Sequence, residues 1–100
     1  MYKSKRSNAC DISQGTKAAV WIRDNCRCVL CGSREAFPHA HFLSRAQGGL
    51  GIEENIFTAC NKCHTAYDNS EHRKVIRERL REYFKRIYPN WNEENLIYRK

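Results

Sequence analysis

The sequence predicts a small α+β domain held by a metal staple, with one helix before the staple and a basic helix after it. Three observations predict this. Six cysteines in 100 residues include two pairs at CxxC spacing, Cys28/Cys31 and Cys60/Cys63. Between the pairs lies a short alternating segment, "AFPHAHFL", of the kind that forms strands. Outside the pairs the apolar residues switch to helical spacing, most clearly in "EHRKVIRERLREYFKRIY".

A chain of 100 residues with 41% hydrophobic content is one domain, 1–100, that buries only part of its unfolded surface and gains from a staple. CxxC spacing favours tetrahedral zinc over a disulfide ladder, because two thiolates three positions apart converge on one ion at about 2.3 Å. Cys28, Cys31, Cys60 and Cys63 are the expected ligands, while Cys10 and Cys26 stand outside the pattern, Cys26 expected to pack beside the knuckle. No apolar run approaches the roughly 20 residues of a membrane span, and "MYKSKRSNACD" lacks the apolar stretch of a signal peptide. The expected setting is a soluble protein in a reducing compartment.

The elements follow in order. Residues 1–12 read as a mobile basic arm with Lys3, Lys5 and Arg6. "SQGTKAAVWIRDN" gives a helix over about 16–25, with Val20, Trp21 and Ala18 turned inward. "CRCVLCGS" is a turn in which Gly32 relieves the backbone, and a strand over about 39–43 follows, led by Pro38. "RAQGGLGIEEN" is a loop expected to be ordered by contacts elsewhere, "IFTA" a short extended piece, and a helix runs over about 61–69. A longer helix over about 71–88 stops before Pro89; its apolar stripe is Ile76, Leu80, Phe84 and Ile87. Trp91, Leu96 and Ile97 then pack back on the core. The divisions are thus a 1–12 arm, a 16–69 stapled core, and a 71–100 basic helix and tail.

The net charge of +7 is unevenly placed. Residues 1–27 carry a net +4, 28–70 a net −1, 71–88 a net +4, and 89–100 balance. A near-neutral core flanked by two basic segments suits a polyanion held from both sides, although solubility alone also accounts for charge of this size. In the long helix Arg73, Arg77, Arg81 and Lys85 recur every four residues, with Lys74 beside them, as the expected phosphate-binding stripe.

Four cysteines complete a tetrahedral site, which leaves His64 over. One position past Cys63 on a helix is a rotation of about 100°, so His64 points away from the zinc. Asp68, one turn on, shares its face and is spaced to share a second, exposed ion. Upstream, His39 and His41 alternate with Ala40 on a strand and would lie near His64 once the cysteines close the loop. His39 and His72 also fit as ordinary surface histidines.

The order "IRDNCRCVLCG", "AHFLSRAQGGLGIEENI", "CNKCHTAYD", over about residues 20–68, resembles the HNH endonucleases, the ββα-metal or His-Me finger nucleases, and in particular small stand-alone phage and prophage members. The resemblance implies a ββα-metal, treble-clef-like core. It also implies His41 as general base, Asn55 as the middle polar residue that shapes the loop and orients the base, and His64 as a ligand of a catalytic divalent ion (Mg²⁺, Mn²⁺ or Ni²⁺), with Asp68 at the position of a further ligand. Many members carry His or Asp just before the base, where this chain has Ala40.

What the resemblance implies is hydrolysis of DNA phosphodiesters, DNA being bound mainly through its phosphates. Arg45 would hold the scissile phosphate, and Arg73, Lys74, Arg77, Arg81 and Lys85 flanking ones. It further implies the bacterial cytoplasm, a packaging partner such as a terminase, and action either alone as a nickase or paired as a homodimer. The rival expectation is a non-catalytic zinc module that binds DNA, in which Ala40 marks a decayed site. A third, a protein-interaction knuckle, predicts no salt-sensitive DNA binding.

Overall fold

Two serines open the first two helices of the computed structural model, which describes residues 4–69 and 71–99. Ser4 Oγ accepts the Ser7 N–H and starts α1 (Lys5–Cys10), and Ser13 Oγ accepts the Thr16 N–H and starts α2 (Gln14–Arg23). Caps of this kind stabilise a helix by about 1 kcal/mol. The expected mobile arm is therefore in large part a docked helix, with Cys10 2% exposed and the Arg6 guanidinium donating to the carbonyls of Arg45 and Ala46. Lys3 lies outside the described residues.

Val20 is buried and Trp21 half-buried on α2, as its pattern predicts, but Ala18 faces solvent, about 200° around the helix from Val20. After Asp24 the chain reverses through two left-handed residues, Asn25 (φ 58°) and Cys26 (φ 57°). This turn leaves Cys26 exposed instead of packed beside the knuckle.

β1 (Phe37–His41) and β2 (Ile56–Ala59) form an antiparallel pair, with Phe37 opposite Ala59, Ala40 opposite Phe57 and His41 opposite Ile56. The strand lies two residues earlier than the expected 39–43. Its register shifts between Phe37 and Ala40, around Pro38, which has no N–H to give to a ladder. Every residue of β2 is buried. Cys60 lies between β2 and α3 (Asn61–Asn69), and α4 (Arg73–Ile87) follows. Tyr88 then turns extended (φ −118°, ψ 96°), the conformation a residue before proline prefers.

The core sits between the hairpin and the last two helices. Phe42, Phe57, Tyr67, Leu80, Phe84 and Leu96 are all buried, and Trp91 stacks on Phe84 at 5.4 Å between ring centres. The glycine loop, expected to be ordered by contacts elsewhere, is ordered from both sides. Gly51 N–H donates to Ala9 O at 3.0 Å, while Leu50 N–H donates to Leu96 O at 2.7 Å and Tyr98 N–H to Gly48 O at 2.8 Å. Gly49 lets the segment fold back on Leu43: a Cβ there would lie 1.7 Å from the Leu43 carbonyl oxygen. Among the described residues no helix is long and apolar enough to cross a membrane.

One buried pair ties α2 to everything around it. Arg23 binds Asp24 through Nε and Nη2 at 2.8 and 3.0 Å and also donates to Ile56 O and Glu53 O. Asp24 in turn accepts from Thr58 N–H at 2.9 Å and from the Tyr83 hydroxyl. Removing one partner of a buried pair leaves the other uncompensated. Asp24→Ala is therefore expected to destabilise the zinc-loaded protein by about 3–5 kcal/mol, read by urea unfolding, with Asp24→Asn costing visibly less. A loss under about 1 kcal/mol for Asp24→Ala would contradict the hub role.

Candidate metal centre and histidine cluster

The two CxxC turns meet because one follows α2 and the other bridges β2 and α3, next to each other in the sheet layer. Val29 N–H donates to Thr58 O at 3.0 Å, pinning the first turn to the second strand. Gly32 (φ 80°) closes the first turn by donating to Cys28 O at 2.9 Å, and Cys63 N–H points at Cys60 Sγ at 3.4 Å. The sulfurs of Cys28, Cys31, Cys60 and Cys63 all lie within 4.8 Å of one another. No other group of three or more His, Cys, Asp or Glu side chains among the described residues is gathered closely enough to hold a metal.

The donor set fits zinc or a similar thiophilic cation. Burial opposes ionisation of Cys28, but the backbone N–H groups of Cys60, Cys31 and Leu30 outweigh it and bring the thiol down to about 7. Cys63 is driven the other way, first by burial and then by the crowding of Cys60, Cys31 and Cys28. Four thiols this close cannot all ionise together without a cation among them, which a bound metal supplies.

His64 is not part of this group. Its Nε2 lies 3.3 Å from Asp68 Oδ2, one helical turn on, and its ring centre 5.6 Å from that of His39. The alternation of β1 accounts for this: Ala40 is 0% exposed, in the core, while His39 and His41 fall on the opposite face. The position before His41 is thus unavailable to a ligand, and His39 is the histidine of β1 that reaches His64. His41 is held separately, with Nε2 2.9 Å from Cys10 O.

Burial is the main cause that lowers both β1 histidines below the usual range. For His41 the Cys10 carbonyl opposes it, and Arg45 and His64 reinforce it; for His39 the charges of His64 and Lys17 add to it. Both rings are consequently neutral at pH 7. Unfolded, they bind protons near pH 6.5, so the stability they contribute as neutral rings is present above about 6.5 and lost as pH falls below it. An NMR titration of the His41 ring is expected to give a midpoint below about 6.5. A midpoint above that value would show that burial does not govern it.

Asn55, at the end of a short 3-10 turn, is 0% exposed and has its amide fully engaged. Oδ1 accepts Leu43 N–H at 2.8 Å, and Nδ2 donates to Leu43 O and Leu50 O at 3.1 and 2.8 Å. These bonds clamp the chain just after His41, between Leu43 and Leu50. Arg45 is exposed but pairs with Asp11 at 2.8 Å.

The basic stripe of α4 is not uniform. Lys74 and Lys85 are exposed, and Arg73 and Arg77 lie over the rings of Tyr67 and Phe42 at 5.4 and 5.5 Å. Arg81 is occupied internally, by Glu93 at 2.8 Å and by Glu78.

No protein-family model, curated protein or solved structure matches this chain. Two features escaped the sequence pattern. The Arg23/Asp24 hub looks like any surface pair until Thr58 and Tyr83 are seen to face it, and the contact of α1 with His41 is made by a backbone carbonyl, which no side-chain motif reports.

Proposed function

We propose that this protein is a metal-dependent DNA endonuclease of the HNH type, with a structural zinc on Cys28, Cys31, Cys60 and Cys63. The observation that carries the reading is the placement of His39 and His41 on one face of β1, His39 next to the His64–Asp68 pair and the carbonyl-held His41 near enough to His64 to feel its charge. The antiparallel hairpin followed by α3 has the order of a ββα-metal, treble-clef-like core.

His41 would take a proton from water as its oxygen attacks phosphorus in line, help worth roughly 10²- to 10⁴-fold. The P–O3′ bond breaks, the 3′-oxygen gains a proton from solvent, and the products end in 5′-phosphate and 3′-hydroxyl. A divalent ion (Mg²⁺, Mn²⁺ or Ni²⁺) bound by His64 and Asp68 would offset charge developing on phosphate oxygens. His39 is placed to strengthen that binding, since imidazole nitrogen suits Mn²⁺ or Ni²⁺. Arg45 would exchange Asp11 for the scissile phosphate. The bacterial cytoplasm, phage origin, a terminase partner and action as a nickase or a homodimer belong to the same reading.

One observation favours a second reading, a zinc-dependent DNA-binding module that does not cut: Ala40 is buried, and the histidine face gathers no group of three ligands like that of the cysteines. A supercoiled-plasmid assay separates the two. After EDTA, added Mg²⁺, Mn²⁺ or Ni²⁺ is expected to restore nicking or linearisation by the zinc-replete protein. Salt-sensitive binding without cleavage under every metal would select the module instead.

Phosphate contacts should show in the salt dependence of binding. Lys74→Ala and Lys85→Ala are each expected to reduce the slope of log K against log salt by about 0.9. Arg81→Ala should change it little, because Glu93 and Glu78 already hold that charge. Equal effects from all three would mean that Arg81 leaves its partners on binding.

A further inference from the structure

The carbonyl that meets His41 comes from outside the strand-strand-helix unit, from the last residue of α1. A helix of six residues leaves its final carbonyls without intrahelical donors, and α1 satisfies each in an identifiable way. Ser7 O and Asn8 O accept from Asp11 N–H, Ala9 O accepts from Gly51 N–H at 3.0 Å, and Cys10 O faces His41 Nε2 at 2.9 Å. Because a carbonyl can only accept, Nε2 carries the hydrogen in this contact, and the lone pair of the neutral ring is on Nδ1.

We propose that α1 is a positioning element of the histidine site, in which the Cys10 carbonyl fixes the orientation and tautomer of His41 and so makes Nδ1 its basic nitrogen. The placement of that carbonyl is over-determined. A Cβ on Gly51 would lie 2.1 Å from Asp11 O and 2.9 Å from Cys10 O, so only glycine lets the loop come this near. Arg6 Nη2 donates to Arg45 O and Ala46 O at 3.3 and 2.8 Å, and the Asp11 carboxylate meets Arg45 Nη2 at 2.8 Å. Cys10 itself is buried. Contacts from Arg6 near the start of α1, and from Ala9 and Asp11 at its end, thus hold it against residues 45–51, and a shift in any of them moves the carbonyl that His41 uses. The proposal rests on the nuclease reading only in its last consequence, that Nδ1 is the atom that accepts the proton from water.

The test is the tautomer itself. In full-length, zinc-loaded protein labelled with ¹⁵N-histidine at pH 8, long-range ¹H–¹⁵N correlations are expected to show His41 as a single tautomer with the hydrogen on Nε2. Gly51→Ala is expected to bring in the Nδ1–H tautomer and, on supercoiled DNA, to lower kcat by about tenfold or more at unchanged KM, a share of the roughly 10²- to 10⁴-fold that base catalysis supplies. Should Gly51→Ala lose its zinc, the double variant Arg6→Ala/Asp11→Ala, altered at side chains that are not buried, takes its place with the same expectation. An Nδ1–H ring in the wild type, or an unchanged tautomer in the zinc-replete variant, overturns the proposal. A wild type that never cuts DNA, yet shows the tautomer and its shift, supports the positioning role and counts only against the nuclease reading.

Discussion

Removal of the metal from the four-cysteine site is expected to unfold the chain. A structural zinc bound by thiolates contributes on the order of 10 kcal/mol, largely as folding free energy, against a total stability of about 5–15 kcal/mol for a domain of ordinary size. The position of the cysteines says why so much depends on them. One turn follows α2 and the other joins β2 to α3, so the cluster sets the register between the hairpin and the helix that carries His64 and Asp68. Chelation under reducing conditions, or Cys60→Ser, should abolish the cooperative thermal transition seen by circular dichroism. Co²⁺ should restore it with the absorption of a tetrahedral thiolate site. Cys26→Ser serves as the control, since Cys26 is exposed and outside the cluster. A metal-free protein that still melts cooperatively at the same temperature would show that the aromatic core around Phe42, Phe84 and Trp91 suffices alone.

Sequence spacing made legible whatever local geometry determines. CxxC turns, the helix at 61–69 and the apolar stripe of α4 each depend on residues within one or two turns of each other, and they appear where the periodicity puts them, α4 trimmed by the extended Tyr88 before Pro89. The rotation of His64 away from the cysteine cluster and toward Asp68 is legible for the same reason. The first twelve residues were not. Nothing local stabilises a six-residue basic helix strongly; α1 exists because Gly51, Arg45 and Ala46, some forty positions on, offer it partners. The shift of β1 by two residues has a similar cause, since pairing is decided by β2. Arg81 shows the converse: its four-residue spacing places it on the basic stripe of α4, but nothing in that spacing reveals its ion pair with Glu93, from the segment after Pro89. Long-range partners of this kind are set by topology, which periodicity within one segment does not report.

Replacement of His41 by Ala is expected to reduce metal-dependent DNA cleavage by roughly 10²- to 10⁴-fold, while zinc content and DNA affinity stay as in the wild type. The affinity should persist because the exposed cations of α4 lie on a different element from the ring. The substitution has a structural cost too, since it leaves the Cys10 carbonyl without its donor, a loss of about 1–3 kcal/mol if no water replaces it. His41→Gln addresses this: it can still donate to Cys10 O but offers no basic nitrogen, so it should be inactive yet more stable than His41→Ala. The pH profile supplies a further constraint. Because burial keeps the His41 ring neutral, the acid limb of kcat/KM should lie below the ordinary histidine range, and the protonated form accumulating there should be the inactive one. If His41→Gln cleaves as fast as the wild type, base catalysis by this ring is excluded, and the neutral histidine with its carbonyl partner is then a structural contact in a nuclease whose base lies elsewhere.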